Sequence, residues 1–192
     1  MIWKVKISNW AEKFGYSYNE IKDKIKNDEI FRCIFIKEPS KQNLYQNLAA
    51  TYIKSLENVE NFEVLASGGK NAIYLTNGKI FTGKDLKDKS KDIKSIDFKW
   101  KKGETTFYAS HKYTKDEGGS QDNQYEDIQK FLRNVIDNNE KNTIFLAICD
   151  GEYYQTKDSK TGDATKIERL KKLTTYNSFV LTINDLKEFL NK

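Results

Sequence analysis

The sequence predicts an α/β fold with a central mixed β-sheet flanked by helices. Three observations lead there. Strand-like and helix-like runs alternate along the chain. Two apolar runs are joined by the short turn KKGE, in the manner of a hairpin. Finally, NTIFLAICD (Asn142 to Asp150) is a continuous apolar run of the kind that sheets bury on both faces.

Composition sets the frame. At 192 residues the chain holds one domain with a real core, and a second full domain would be cramped, so 1–192 is read as a single domain. It is 32% charged and 13% aromatic, too rich in Tyr, Phe and Trp for a disordered chain. The net charge of +5 suits an anionic partner such as nucleic acid, although any Lys-rich composition gives the same bias. No apolar run approaches a membrane span, and MIWKVKISNW lacks a secretory hydrophobic region, so a cytoplasmic protein with no membrane partner is expected. Cys33 and Cys149 sit singly inside apolar runs and read as buried thiols. With a single histidine, His-rich metal sites and two-histidine relays are excluded, and a Ser/His/Asp triad would lack its nucleophile elbow.

In order, Ile2 to Ile7 alternates like an edge strand, and Trp10 to Ile25 reads as two short helices broken at Gly15. Ala11, Gly15 and Ile21 match the small residue, turn glycine and apolar residue of a helix-turn-helix. That pattern is short and common, so packing is its first reading, and residues 1–38 form a small subregion for DNA contact or dimerisation. Ile30 to Ile36 reads as a buried strand before the turn at Pro39. Ser40 is a candidate N-cap for an amphipathic helix with Leu44, Leu48, Ala49, Tyr52, Ile53 and Leu56 on one stripe. Phe62 to Phe81 carries two or three short strands, with Asn77-Gly78 a strong hairpin signal. Within it SGGKNA lacks the Walker spacing. Ser67 to Lys70 is first a tight turn and second a loop offering backbone N–H groups to phosphates.

Thr82 to Lys94 reads as a solvated connector. The hairpin of Lys94 to Trp100 and Thr105 to Tyr113 follows, then a polar loop with Gly118-Gly119. The next helix, from Tyr125, turns Tyr125, Ile128, Phe131, Leu132 and Val135 inward. After the strand at Asn142 to Asp150 come the helical DATKIERLKKL, a last strand SFVLTI, and a terminal helix capped by Asn184.

The chemistry-bearing stretch is Ile96 to Glu126. Side chains alternate along a strand, so Ser110 and Lys112 share a face while His111 points the other way, to a packing role. Across the hairpin Asp97 comes near Lys112, and for these two residues alone an ordinary cross-strand ion pair is the first reading. Metal-assisted phosphodiester hydrolysis needs oxygen ligands for a divalent ion and a cation near the attacked phosphate. Ser110 cannot replace a carboxylate. However, thirteen residues separate Lys112 from Glu126, and a carboxylate at the start of the following helix can reach back.

With Asp97, Ser110-His111-Lys112, that spacing and Glu126, the chain resembles the PD-(D/E)xK type II restriction endonucleases, in the branch where the strand acid is Ser and a helical Glu follows the Lys. SGGKNAIYLTNG, SIDF, HKYTK followed by GGSQDNQ, and the apolar strand closing in CDG extend the similarity over Pro39 to Leu190. Two departures stand out: Ile96 rather than proline precedes Asp97, and Gln46 occupies a helix position where many relatives have an acid.

The resemblance implies a restriction-endonuclease-like fold and a Mg²⁺-dependent, sequence-specific double-stranded DNA endonuclease leaving 5′-phosphate ends. It implies Asp97 and Glu126 as metal ligands, Lys112 orienting water and stabilising the phosphorane, and Ser110 holding a metal-bound water. It further implies a homodimer and a cognate DNA methyltransferase in the same system. Lys70, Lys99, Lys101, Lys102 and Lys115 are candidates for phosphate contacts. Gln121, Asn123 and Gln124, ahead of Glu126, are candidates for base reading from a loop, with helix capping the equal alternative for Asp122 and Asn123. A structure-specific or repair nuclease of the same fold, and an inactive DNA-binding protein, are the rival readings.

Overall fold

The computed structural model describes residues 2–28, 31, 41–86, 93, 95–115, 119–157 and 162–192. They fall into two compact units, Met1–Asn43 and Leu44–Lys192.

The first unit holds α1 (Ile2–Phe14) and α2 (Tyr18–Asn27). The strand expected at Ile2 to Ile7 is corrected to helix. Six alternating residues fit a strand, but the wider window places Ile7, Trp10, Ala11 and Phe14 at intervals of three and four, and Ile7 and Ala11 are buried together with Ile21. The break at Gly15 is present, with φ +73, a left-handed conformation that only glycine enters without strain. Ser17 then caps α2, accepting from the Glu20 N–H while its own N–H donates to the Glu20 carboxylate. The strand expected at Ile30 to Ile36 lies outside the described residues except Phe31, whose backbone is helical and whose ring stands edge-on to Trp10. Cys33, Pro39 and Ser40 also lie outside them.

The second unit is α/β, a five-stranded mixed sheet flanked by helices, consistent with the restriction-endonuclease-like arrangement. It opens on α3 (Lys41–Lys54), then β1 (Glu60–Val64). A separate two-stranded hairpin follows, β2 (Ile73–Thr76) and β3 (Lys79–Thr82). Next come β4 (Phe98–Lys102), β5 (Thr105–Tyr113), α4 (Gly119–Val135) and β6 (Thr143–Asp150). A 3₁₀ turn (Glu152–Gln155), α5 (Lys166–Lys171), β7 (Ser178–Leu181) and α6 (Ile183–Leu190) complete it. The sheet order is β1-β4-β5-β6-β7, antiparallel across the first two pairings and parallel across the last two.

The sheet buries a core on each face. Strand β6 feeds both, with Phe145, Ala147 and Cys149 entering one and Leu146 and Ile148 the other. The first core meets Ile128, Phe131, Leu132 and Val135 of α4, as their spacing predicts. The second meets Ala49, Ala50 and Ile53 of α3, and Leu186 and Leu190 of α6. Leu44 and Leu48, expected on the inner stripe of α3, are instead exposed: the helix turns 46, 49, 50 and 53 inward, where two alanines let it lie close to the sheet.

Two further boundaries are corrected. Helix α4 begins at Gly119, not at Tyr125, so Gln121, Asn123 and Gln124 are helical rather than in a loop. Asp122 in the first turn suits the positive helix end and accepts the Tyr153 hydroxyl at 2.7 Å. The cap of α6 is Thr182, whose N–H and hydroxyl both donate to Asp185, while Asn184 lies within the helix. Most of the expected connector between Thr82 and Lys94 lies outside the described residues. Among those described, no helix is long and apolar enough to cross a membrane.

Candidate functional site

The site forms where β4 begins. Phe98 pairs with Ala109, and the Asp97 N–H donates to the Ala109 carbonyl at 3.0 Å, which puts Asp97 beside Ser110. Ile96 enters the first core and Phe98 the second, so the alternation of a regular strand breaks at Asp97. The aspartate therefore sits at an irregular step in the strand that both neighbours pin by burial.

Three donors converge on its carboxylate. The His111 backbone N–H donates to Oδ2 at 2.8 Å and the Ser110 hydroxyl to the same oxygen at 3.4 Å. Gln46, on the inner stripe of α3, donates through Nε2 to Oδ1 at 3.1 Å. Burial of the carboxyl group raises its pKa above the ordinary aspartate value, against the positive charge of Lys112 and the donated hydrogen bonds, which lower it. Lys112, on the same face of β5 as Ser110, acts on Asp97 by its charge without closing an ion pair. The ordinary cross-strand salt bridge is thus not the arrangement found.

The structure brings together Asp97, Ser110 and Lys112. It does not bring Glu126 to them. Glu126 is exposed on α4, two residues before the buried Ile128 and hence roughly 160° around the helix from the inner stripe. The count of thirteen residues is met, but the phase of the helix turns the carboxylate outward. Among the described residues, no group of three or more His, Cys, Asp or Glu side chains is placed to hold a metal ion.

His111 is buried on the opposite face, as expected, and its Nε2 lies 3.0 Å from Asp150 Oδ2. The other oxygen of Asp150 accepts the Ile183 N–H of α6 at 2.8 Å. Asp150 therefore ties β6, β5 and α6 together around the backbone that serves Asp97. Its only signal in the sequence is its place, an aspartate closing an apolar strand. On this face a cleft of about 380 Å³ opens between Tyr45, Tyr52, Tyr113 and Asn184.

The remaining candidates divide. Lys99 pairs with Glu63 of β1 at 3.8 Å, while Lys101 is exposed and stands in register with Glu60 of the same strand. Lys102 donates to the Leu190 carbonyl. Lys70 and Lys115 are exposed, Lys70 next to a turn closed by the Ala72 N–H on Gly69. Asn123 is exposed, whereas Gln124 accepts the Thr114 hydroxyl at 2.9 Å and is held at the end of β5. Nothing is described of the Gln121 side chain.

No protein-family model matches the chain, and no curated protein is detectably similar to it in sequence. The resemblance to restriction endonucleases rests on the residues themselves.

Proposed function

We propose that the chain is a Mg²⁺-dependent, sequence-specific double-stranded DNA endonuclease, a type II restriction enzyme working as a homodimer beside a cognate DNA methyltransferase. The observation that carries this reading is a largely desolvated Asp97 carboxyl group with Ser110 and Lys112 on the adjoining strand and, among the described residues, no ion pair closed on it. A carboxylate drawn out of solvent, with a lysine near it but not paired to it, is a fitting anchor for a cation.

The donor chemistry suits Mg²⁺, which binds oxygen through one or two carboxylates and completes its shell with water and phosphate oxygens. Asp97 would hold it, joined by the Ser110 hydroxyl and by Gln46 once a half-turn of the amide presents its oxygen. When bound, the ion polarises the phosphate and lowers the pKa of water.

The chain's own groups do the rest. Lys112 faces the phosphate with a positive charge, orients the attacking water and offsets the negative charge that builds on the phosphorane. The water oxygen bonds to phosphorus as the P–O3′ bond breaks, leaving a 5′-phosphate and a 3′-hydroxyl. The His111 N–H and the Asp150 clamp behind it hold the Asp97 carboxylate in one orientation.

One observation favours the inactive DNA-binding reading: Asp97 already has a set of N–H and O–H donors in place of a second acid. A single experiment separates the readings. Incubated with Mg²⁺ and mixed-sequence duplex DNA, the chain yields discrete fragments, and Asp97→Ala and Lys112→Ala each lose about a hundredfold or more in rate. Intact DNA with a gel shift favours the binding module, a smear a nonspecific nuclease, and full activity of both variants sinks the proposal.

A further inference from the structure

We infer that α1 and α2 form a helix-turn-helix whose second helix reads double-stranded DNA through Asn19, Lys22 and Lys26, a recognition surface in a different unit from the Asp97 site. The choice of DNA as ligand rests on the proposed function; the surface itself is read from the first unit alone.

The spacing of Ala11, Gly15 and Ile21 is one weak signal. The structure adds the stereochemistry it requires. Ala11 and Ile21 are buried together at 6% and 4% exposure, with Trp10, Tyr18 and Ile25 packed around them. Gly15 takes the left-handed conformation, the Tyr16 N–H returns to the Ala11 carbonyl at 3.0 Å, and Ser17 starts the next helix. The turn between the helices is three residues long, Gly15 to Ser17. Helix-turn-helix motifs turn in this way and lay the second helix in the major groove.

The outer face of α2 has fitting chemistry. Ile21 and Ile25 set the inner face, so Asn19, Lys22, Asp23 and Lys26, at intervals of three and four, form the opposite stripe, and all four are exposed. Asn pairs with adenine edges, and Lys contacts guanine or phosphate. Asp23 in the stripe is an acceptor for a cytosine amino group. Glu20 is withdrawn into the Ser17 cap, and Lys24 pairs with Asp28 at 3.4 Å, so neither acts from this stripe. Charge agrees as well. The first 43 residues contain nine Lys or Arg and six Asp or Glu, so more than half of the net charge of +5 lies in less than a quarter of the chain.

The test uses the full chain, a fluorescein-labelled mixed-sequence duplex without divalent ions, and anisotropy over a series of salt concentrations. Lys22→Ala/Lys26→Ala should weaken binding about tenfold or more at low salt and flatten the log-log salt slope by about one to two. Lys171→Ala/Lys187→Ala, which removes the same charge from the second unit, should do neither. Asn19→Ala should leave the slope and change the preference among duplexes by about five- to a hundredfold. Melting temperatures confirm that each variant is folded, and Lys22→Arg/Lys26→Arg should retain affinity. The inference is overturned if the Lys22/Lys26 variant binds like the Lys171/Lys187 control, or if it changes the sedimentation of the chain and not its DNA affinity. If that variant weakens binding in a chain that does not cut DNA, the recognition surface stands and the nuclease reading falls. If the chain cuts DNA and the variant cuts and binds unchanged, the reverse holds.

Discussion

Asp97 combines a desolvated carboxyl group, which a structural aspartate would avoid, with a break in strand alternation. The pH dependence follows from its raised pKa. The folded chain keeps the Asp97 proton to higher pH than the unfolded chain, so this group lowers stability as pH rises from the ordinary value of 3.8 through the raised one. Asp97→Asn removes the ionisation, and its amide can donate to Gln46 after the Gln46 amide turns over. Thermal melts of the metal-free protein should therefore show Asp97→Asn more stable than the parent above that window, with cleavage abolished. Glu126→Gln should melt and cut like the parent, because the side chain is exposed and on the outer face of α4. A large loss of cleavage in that variant would require α4 to turn when DNA binds. At this scale, alternation along β5 made Ser110, His111 and Lys112 legible in the sequence. The Gln46 bond to Asp97 was not, because it joins residues 51 apart, although Gln46 lies in phase with Ala49, Ala50 and Ile53.

Between elements, packing decided what local pattern left open. The β4–β5 hairpin, the β6 strand and the inner face of α4 follow from alternation and helical spacing. Helix α1 and the first turns of α4 are not legible from local pattern, because six-residue windows fit two periods and polar residues such as Gln and Asn serve a helix start as well as a loop. The β2–β3 hairpin shows how firmly one turn can be docked. Its Gly78 has φ +70, the Gly78 N–H donates to the Asn134 carbonyl at 2.8 Å, and Asn138 donates to the Gly78 carbonyl at 2.7 Å. A Cβ at Gly78 would stand 2.3 Å from the Asp137 carbonyl carbon. Gly78→Ala should cost about 2 kcal/mol or more. In a chain of this size that lowers the melting temperature by roughly 5 °C, readable by calorimetry.

As a whole, the chain has one unit with a sheet and two cores and another with a small helical core of its own. The sequence announced the first by its alternation of elements and the second by the glycine break at Gly15 with Ala11 and Ile21 spaced around it. A homodimer that cuts both strands in one encounter converts supercoiled plasmid to linear DNA with little nicked circle, and loses rate steeply on dilution. Agarose gels at several protein concentrations would read this, and lasting nicked circle would speak against the dimer. Cys149 lies in β6 beside Lys112 in register, fully buried, its thiol pKa pushed far up by burial. Such a sulfur reacts with an alkylating reagent only when the sheet opens. In a Cys33→Ser background the alkylation rate of Cys149 becomes a clock for that opening, and duplex DNA with a divalent ion that does not support cleavage should slow it.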